Sequence, residues 1–284
     1  MANLGFIGLG GMGSPMAGRL ASAGHLLSLF DLDPGKLKPL SAAGAIACPH
    51  AKGVAETAEV LFLMLPDTPD VEAVLFGKNG AAEGLSPGKI VVDMGSNSGS
   101  ATRAFAARLA EQGVSMADAP VSGSPAHATR GELAIIVGAE PAVFERIKPY
   151  LEVMGKSIVH VGGNGEGQIA KAANQIIVAL TREAVAEALR FAAEAGTDPR
   201  RVREAMLGGL AGSRILEEQG ESMIETGFSP AFRTHHLRKD LDNLLNEAEG
   251  LGLDLPCSSL VRRLYGGGSS DPQEEVAAAR RPVA

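Results

Sequence analysis

Leu4-Gly5-Phe6-Ile7-Gly8-Leu9-Gly10-Gly11-Met12-Gly13 is a short apolar run that ends in a cluster of glycines, and a helix-like stretch through Met16, Leu20 and Ala23 follows it. Three glycines at this spacing meet three needs. Gly8 allows a tight turn, Gly10 lets a pyrophosphate come close to the backbone, and Gly13 lets the helix sit close on the strand, with the phosphate at the helix N-terminus. Gly11 and Met12 lie inside the same loop. The next apolar run, Leu26-Leu27-Ser28-Leu29-Phe30, ends in Asp31, about 20 residues on, where a carboxylate accepts hydrogen bonds from ribose hydroxyls. A 2′-phosphate would be repelled by Asp31 and Asp33, so the reading is NAD, with NADP left open by the nearby Lys36.

Outward from this motif, apolar runs alternate with helical stretches: Val60 to Leu65, Ile90 to Asp93, Val114 to Asp118, Leu133 to Val137 and Ile158 to Val161, with a helical segment from Pro141 to Leu151. Alternation of this kind predicts parallel βαβ units and a sheet of seven or eight strands. After Gly162-Gly163 the texture changes. Gln168 to Ala193 contains no Gly or Pro and carries Ile169, Ala172, Ile176, Ala179 and Leu180 at helical spacing, which predicts one long helix. Helical patterns follow over Pro199 to Leu207, Arg214 to Met223, His236 to Glu249 and Cys257 to Leu264. The expected fold class is α/β: an N-terminal Rossmann-like doubly wound sheet over residues 1–162, then an all-α C-terminal domain over 163–284. The glycine-serine run and polar tail from Gly266 read as a mobile terminus.

Composition narrows the function classes. At 284 residues and 45% hydrophobic content the chain can bury the cores of two ordinary domains, or of one large one. A net charge of −7 gives no footprint for nucleic acid or an anionic membrane, and 4% aromatic content offers few stacking platforms for bases. No apolar run approaches the roughly 20 residues that span a bilayer, and no basic leader precedes Leu4, so the cytoplasm is expected. Cys48 and Cys257 stand apart without metal-ligand spacing and read as thiols of a reducing compartment. His235 and His236 have no partner at metal spacing, so no metal is expected.

Five further stretches bear polar groups suited to chemistry. Leu65-Pro66-Asp67-Thr68 and Asp93-Met94-Gly95-Ser96-Asn97-Ser98 follow predicted strands, at the edge where open α/β sheets bind ligands. Ser96 suits a cofactor ribose or phosphate, and equally a helix N-cap. Asp118 to Pro125 places Ser122, Gly123 and Ser124 where a carboxylate cradle would form, or where an ordinary Pro-bounded loop would run. Lys171 and Asn174 lie three apart on the long helix, hence on one face, among apolar neighbours. A surface lysine snorkels, whereas a partly buried one loses proton affinity and can exchange a proton with a substrate oxygen. Lys239, within Arg238-Lys239-Asp240-Leu241-Asp242, is either part of a solvated charge run or a cation for an anionic ligand.

Taken together, Gly5 to Met16, Asp118 to Gly123 and Gly167-Gln168-Ile169-Ala170-Lys171-Ala172-Ala173-Asn174-Gln175 resemble the β-hydroxyacid dehydrogenase family, over residues 4 to about 264. The resemblance implies an oxidoreductase moving hydride between NAD(H) and a small carboxylate-bearing hydroxyacid or semialdehyde. It makes Lys171 the catalytic acid/base and gives the substrate to Ser122, Gly123 and Asn174, with backbone groups near Ser124. Ser96 and Lys239 complete the cofactor and substrate sites, and the protein is expected to be a homodimer or homotetramer. Within the family, Gly208 to Ser213 and Asn174 to Leu180 look most like the tartronate semialdehyde reductase branch, and the 3-hydroxyisobutyrate dehydrogenase and glyoxylate or succinic semialdehyde reductase branches are the alternatives. A non-catalytic nucleotide-binding protein is the rival of a different class, and retention of both Lys171 and Asn174 argues against it. Two departures are visible: Ser124 stands where many members have a second Gly, and the tail after Tyr265 does not follow the usual final helix.

Overall fold

In a strand buried on both faces, successive residues enter opposite layers, and the computed structural model, which describes residues 1–227 and 234–265, applies that rule at the centre of the N-terminal sheet. The elements in chain order are β1 (Asn3–Ile7), α1 (Gly13–Ser22), β2 (Leu26–Phe30), α2 (Lys38–Ala42), β3 (Ile46–Ala47), α3 (Ala51–Thr57), β4 (Val60–Leu63), α4 (Thr68–Phe76), β5 (Ile90–Asp93), α5 (Gly99–Ala110), β6 (Ser115–Asp118), β7 (Val121–Ser122), α6 (Pro125–Arg130), β8 (Leu133–Gly138), α7 (Pro141–Met154) and β9 (Gly155–Gly162). Phe6, Phe62 and Val92 enter one layer with Met16 and Leu20 of α1 and Ile147 and Leu151 of α7. Ile7, Leu61, Leu63 and Val91 enter the other, with Val54, Val71, Leu75 and Phe105 of α3, α4 and α5. Full burial of each such side chain contributes on the order of 2 kcal/mol.

The nine strands run in the order β3-β2-β1-β4-β5-β6-β8-β7, with β9 on β8. From β3 to β6 every pairing is parallel. The expected seven or eight strands become nine because β3 and β7 have only two residues each, too few to display a period. Beyond β6 the parallel βαβ pattern gives way. β8 runs antiparallel to β6, through Asp118 and Gly138, and to β7, through Val121 and Ile135, and β9 pairs parallel to β8, so β8 and β9 both run against the direction of β1 to β6. One register serves both antiparallel pairings, and Pro120, which has no N–H to give, still accepts from Ile136 at 3.0 Å between them.

Met1–Lys171 form one compact unit, and a second begins at Ala172. α8 (Glu166–Glu194), α9 (Pro199–Leu207), α10 (Arg214–Glu225), α11 (Thr234–Gly250) and α12 (Pro256–Leu264) follow, with no strand among the described residues from Ala172 onward. Asp198 and Ser213 cap α9 and α10 through Arg200 N–H and Leu216 N–H. α8 has 29 residues, a length of roughly 43 Å at 1.5 Å per residue. Within the second unit, Ala172, Ile176 and Ala179 of α8 pack with Leu241 and Leu244 of α11 and Val261 of α12. Further along, Val185 and Leu189 pack with Leu216 and Met223 of α10. The tail from Gly266, and the side chains of His235 and His236, lie outside the described residues.

The glycine loop shows why two of its positions admit no side chain. Gly8 holds φ +92°, and a Cβ there would collide with the Met64 carbonyl; a Cβ on Gly13 would collide with the Gly8 carbonyl. Backbone is the obstacle in both cases, so nothing flexible can yield. Gly13→Ala should therefore cost about 2 kcal/mol or more, seen as a fall of several degrees in Tm by calorimetry, with weakened NADH binding.

Candidate active site

Because β1, β2, β4, β5 and β6 are parallel, their C-terminal ends share one edge of the sheet. Gly8 to Gly13, Asp31, Leu65, Pro66, Ser96 and the segment from Asp118 to Ser122 all follow these ends. Asp31 closes the glycine loop: its Oδ2 accepts from Leu9 N–H at 2.7 Å, and its Oδ1 from Asp33 N–H at 2.8 Å and Lys36 Nζ at 3.3 Å. Burial pushes its pKa upward, but the Asp33 and Leu9 amides and Lys36 outweigh it and hold the carboxyl below its ordinary value. It is ionised at neutral pH.

The loop fits a dinucleotide pyrophosphate. Gly10 and Gly11 are exposed; a Cβ on Gly10 would meet nothing within 4 Å, and one on Gly11 only Pro125 Cγ at 4.0 Å. Packing therefore does not require glycine at position 10, and its open backbone suits the close approach of a ligand. α1 has Met12 as its N-cap with no side-chain cap; within its first turn Ser14 N–H donates to Gly10 O at 3.1 Å and Pro15 has no N–H, so it is the loop backbone before the helix that faces an anion.

Further along the edge the structure separates two serines. The N-cap of α5 is Ser98, which accepts from Ala101 N–H at 3.2 Å, so Ser96 does not cap that helix. Asp67 caps α4, and Thr68 Oγ1 accepts from Ser98 N–H at 3.0 Å, joining the loops after β4 and β5. Buried Asp93 holds the second of these loops, accepting from Gly95 N–H at 3.0 Å and Asn97 Nδ2 at 2.7 Å.

Ser122 ends β7, and Gly123 follows at φ +148°, where a Cβ would lie 2.8 Å from Leu133 Cδ2. Ser124 is engaged locally. Its hydroxyl lies 2.8 Å from His127 Nδ1 and caps α6, and its N–H donates to the same nitrogen at 3.2 Å. The departure from glycine at this position thus stiffens the turn into α6.

Lys171 is buried, 8% exposed, in the second turn of α8, with Asn174 one turn beyond it. Asp118, fully buried, pins the start of that helix by accepting from Gly165 N–H at 2.7 Å and Gln168 N–H at 2.9 Å. Desolvation pushes the Asp118 pKa up to about 6, against the pull of the Gly165 and Gln168 amides. Within the second unit Asn174 Nδ2 donates to Gln175 Oε1 at 2.9 Å, Gln175 Nε2 donates to Asp240 Oδ2 at 2.6 Å, and Asp240 Oδ1 pairs with Lys239 Nζ at 3.0 Å. Asn174 and Lys239 are thus joined through Gln175 and Asp240, two residues that sequence reasoning did not select. Asp240 was visible only inside a charge run, and its pairing depends on tertiary packing. Among the described residues no group of three or more His, Cys, Asp or Glu could hold a metal ion, and no helix is long and apolar enough to cross a membrane.

Comparison with known proteins identifies the family. Residues 3–162 match the NAD binding domain of 6-phosphogluconate dehydrogenase, and residues 165–279 match the NAD-binding domain of NADP-dependent 3-hydroxyisobutyrate dehydrogenase. The chain belongs to the β-hydroxyacid dehydrogenase family and is an NAD(P)-dependent oxidoreductase acting on CH–OH groups. It is 50% identical over 262 residues to 2-hydroxy-3-oxopropionate reductase of Escherichia coli (strain K12), covering 92% of this chain and 89% of that protein. It is 36% identical to 2-(hydroxymethyl)glutarate dehydrogenase of Eubacterium barkeri, over 93% of this chain and 88% of the relative. Among solved structures, Mycobacterium tuberculosis 3-hydroxyisobutyrate dehydrogenase with L-serine superposes with a TM-score of 0.88 at 27% identity, covering 98% of each chain.

Asp118 gives a pH test. It binds its proton more tightly in the folded chain, at about 6, than at its ordinary 3.8. Folding takes up a proton between those values, so the stability it contributes is full below 3.8 and is lost as pH rises through about 6. The Tm of the wild type relative to Asp118→Asn should fall across that window and level off above it; a flat difference would show that Asp118 does not titrate there.

Proposed function

We propose that this chain reduces 2-hydroxy-3-oxopropionate (tartronate semialdehyde) to glycerate with NADH, using Lys171 as proton donor. One observation carries the reading: a lysine buried on α8 and set one turn from Asn174, in a chain half identical to a reductase of that substrate. NADH, when bound, supplies the hydride. Lys171 Nζ gives its proton to the oxygen on which negative charge develops, and takes it back in the oxidative direction. Ser122 and the backbone at Gly123 hold the substrate carboxylate, which fixes the carbonyl carbon for attack. Asn174 orients the reacting oxygen from the same helix as Lys171. In the second unit, Lys239 offers a cation to an anionic ligand, with Asp240 balancing and orienting it. Gly8 to Gly13, Leu65, Pro66 and Ser96 line the cofactor's edge. Asp31 favours NAD over NADP, because its ionised carboxylate stands where a 2′-phosphate would come, although Lys36 offsets part of that repulsion.

We assign cofactor binding to residues 1–162 and a share in substrate binding and assembly to 163–284, although the compact units divide nine residues later, between Lys171 and Ala172. We place the enzyme in the cytoplasm as a homodimer or homotetramer. Ile177 and Phe191, 68% and 75% exposed on α8, are apolar surface that a second subunit would cover. Light scattering should report more than one chain per particle, and Phe191→Glu should lower that number.

Turnover tested with NADH and NADPH on 2-hydroxy-3-oxopropionate, methylmalonate semialdehyde, glyoxylate and succinic semialdehyde decides the substrate. The first of these with NADH should give the highest kcat/KM; preference for methylmalonate semialdehyde would move the chain to the 3-hydroxyisobutyrate branch. Lys171→Ala should lower kcat by about 10²- to 10⁴-fold with NADH affinity retained, and near-normal turnover would remove Lys171 from the mechanism.

A further inference from the structure

The first turn of α8 does more than start a helix. Gln168 is 2% exposed, and its backbone N–H is fixed on Asp118 at 2.9 Å. Its side-chain amide turns to the loop after β5, where Oε1 accepts from Asn97 N–H at 2.9 Å and Nε2 donates to Gly95 O at 2.9 Å. A carboxamide carries one acceptor and one donor group side by side and so pairs with a peptide segment as a neighbouring strand would. Here the paired groups flank Ser96 on both sides. The loop is closed from below by Asp93, through Gly95 N–H and Asn97 Nδ2, and from its far end by Thr68, through Ser98 N–H. Lys171 lies three residues beyond Gln168, about 4.5 Å further along the helix axis and on an adjoining face. One side chain therefore couples the loop that carries Ser96 to the start of the helix that carries Lys171.

Packing alone does not call for this arrangement. Methionine or leucine would fill a similar volume without needing two polar partners in a buried site, where each unmet hydrogen bond is costly. We propose that Gln168 is a positioning residue, which holds the Ser96 loop in register with Lys171 so that cofactor and proton donor meet the substrate in one fixed geometry. This rests on the assignment of Lys171 as proton donor and Ser96 as a cofactor residue made above. Misplacement of reacting groups by about 1 Å costs on the order of 100-fold in rate, so a small shift of this loop would be visible in kcat.

Gln168→Glu is the informative substitution, because a carboxyl group of nearly the same shape exists in two charge states. Its ionised form sets an acceptor against Gly95 O, whereas its protonated form restores the donor and acceptor pair. Gln168→Glu should therefore lose on the order of 10- to 100-fold in kcat in alkaline buffer and recover relative to the wild type as pH falls through the new carboxyl's ionisation. Gln168→Met should lose as much and show no such recovery. Two readouts need no substrate: weaker NADH binding by fluorescence titration, and faster hydrogen exchange at the Asn97 amide in the cofactor-free protein. Kinetics are compared on whichever semialdehyde the wild type turns over, so an error in substrate identity leaves the test intact. Full activity of Lys171→Ala would sink the proton-donor assignment separately. The proposal is overturned if the ratio of Gln168→Glu to wild-type kcat does not change with pH, if Gln168→Met keeps wild-type kcat and NADH affinity, or if neither variant folds by circular dichroism, which would assign Gln168 to the fold alone.

Discussion

The carboxylate of Asp118 has no contact with solvent, yet two backbone amides from the start of α8 converge on it. A helix N-terminus presents amides without intrahelical partners and a partial positive charge, so it is one of the few places where a buried carboxylate finds donors without a counter-ion. Desolvation still prevails over those donors, and the group keeps a raised pKa. The arrangement fixes the end of β6 against the first turn of α8. Lys171 inherits its position from that contact: it lies in the second turn of a helix whose origin is tied to the sheet edge where the parallel strands end.

The same edge gathers the candidate ligand residues for topological reasons. A parallel strand can follow its neighbour only through a crossover, so each strand from β1 to β6 delivers its C-terminal residues to one side and its helix to a face. The glycine loop, Asp31, Pro66 and Ser96 are successive products of that rule. β8 then reverses direction, and the register it shares with β6 and β7 carries Ser122 and Gly123 outward from the same edge. Pro120 sits between the two antiparallel pairings, where a missing N–H costs nothing because only its carbonyl is needed.

Much of this was legible in the sequence wherever the physical requirement is local. Gly8 and Gly13 are read from spacing because backbone stands where a Cβ would go. α8 is read to within two residues at its start because nothing in Gln168 to Ala193 breaks a helix. Two-residue strands have no period to read, which hid β3 and β7. Ser96 reads equally as a ligand group and as a helix N-cap, and only the folded backbone shows that Ser98, two residues on, takes the cap. The contacts that position Lys171 were illegible for a different reason: Asp118 meets Gln168 across 50 residues and Gln168 meets Asn97 across 71, and no local pattern encodes those pairings.

The division between legible and illegible parts follows the division of labour in the enzyme. A dinucleotide is held largely by main chain and helix ends, and main chain advertises itself through glycine, the residue that alone permits close approach. A small hydroxyacid has to be recognised by side chains at a few positions, each of which has an equally good structural use elsewhere. Ser124 illustrates this: its hydroxyl suits a carboxylate, but in the folded chain it caps α6 and engages His127. Lys239 illustrates the converse, since a residue in an ordinary charge run is held by an Asp240 that Gln175 also engages. Cofactor class is therefore written into the sequence at the level of backbone geometry, whereas substrate choice depends on how neighbouring side chains dispose of their remaining hydrogen-bonding groups.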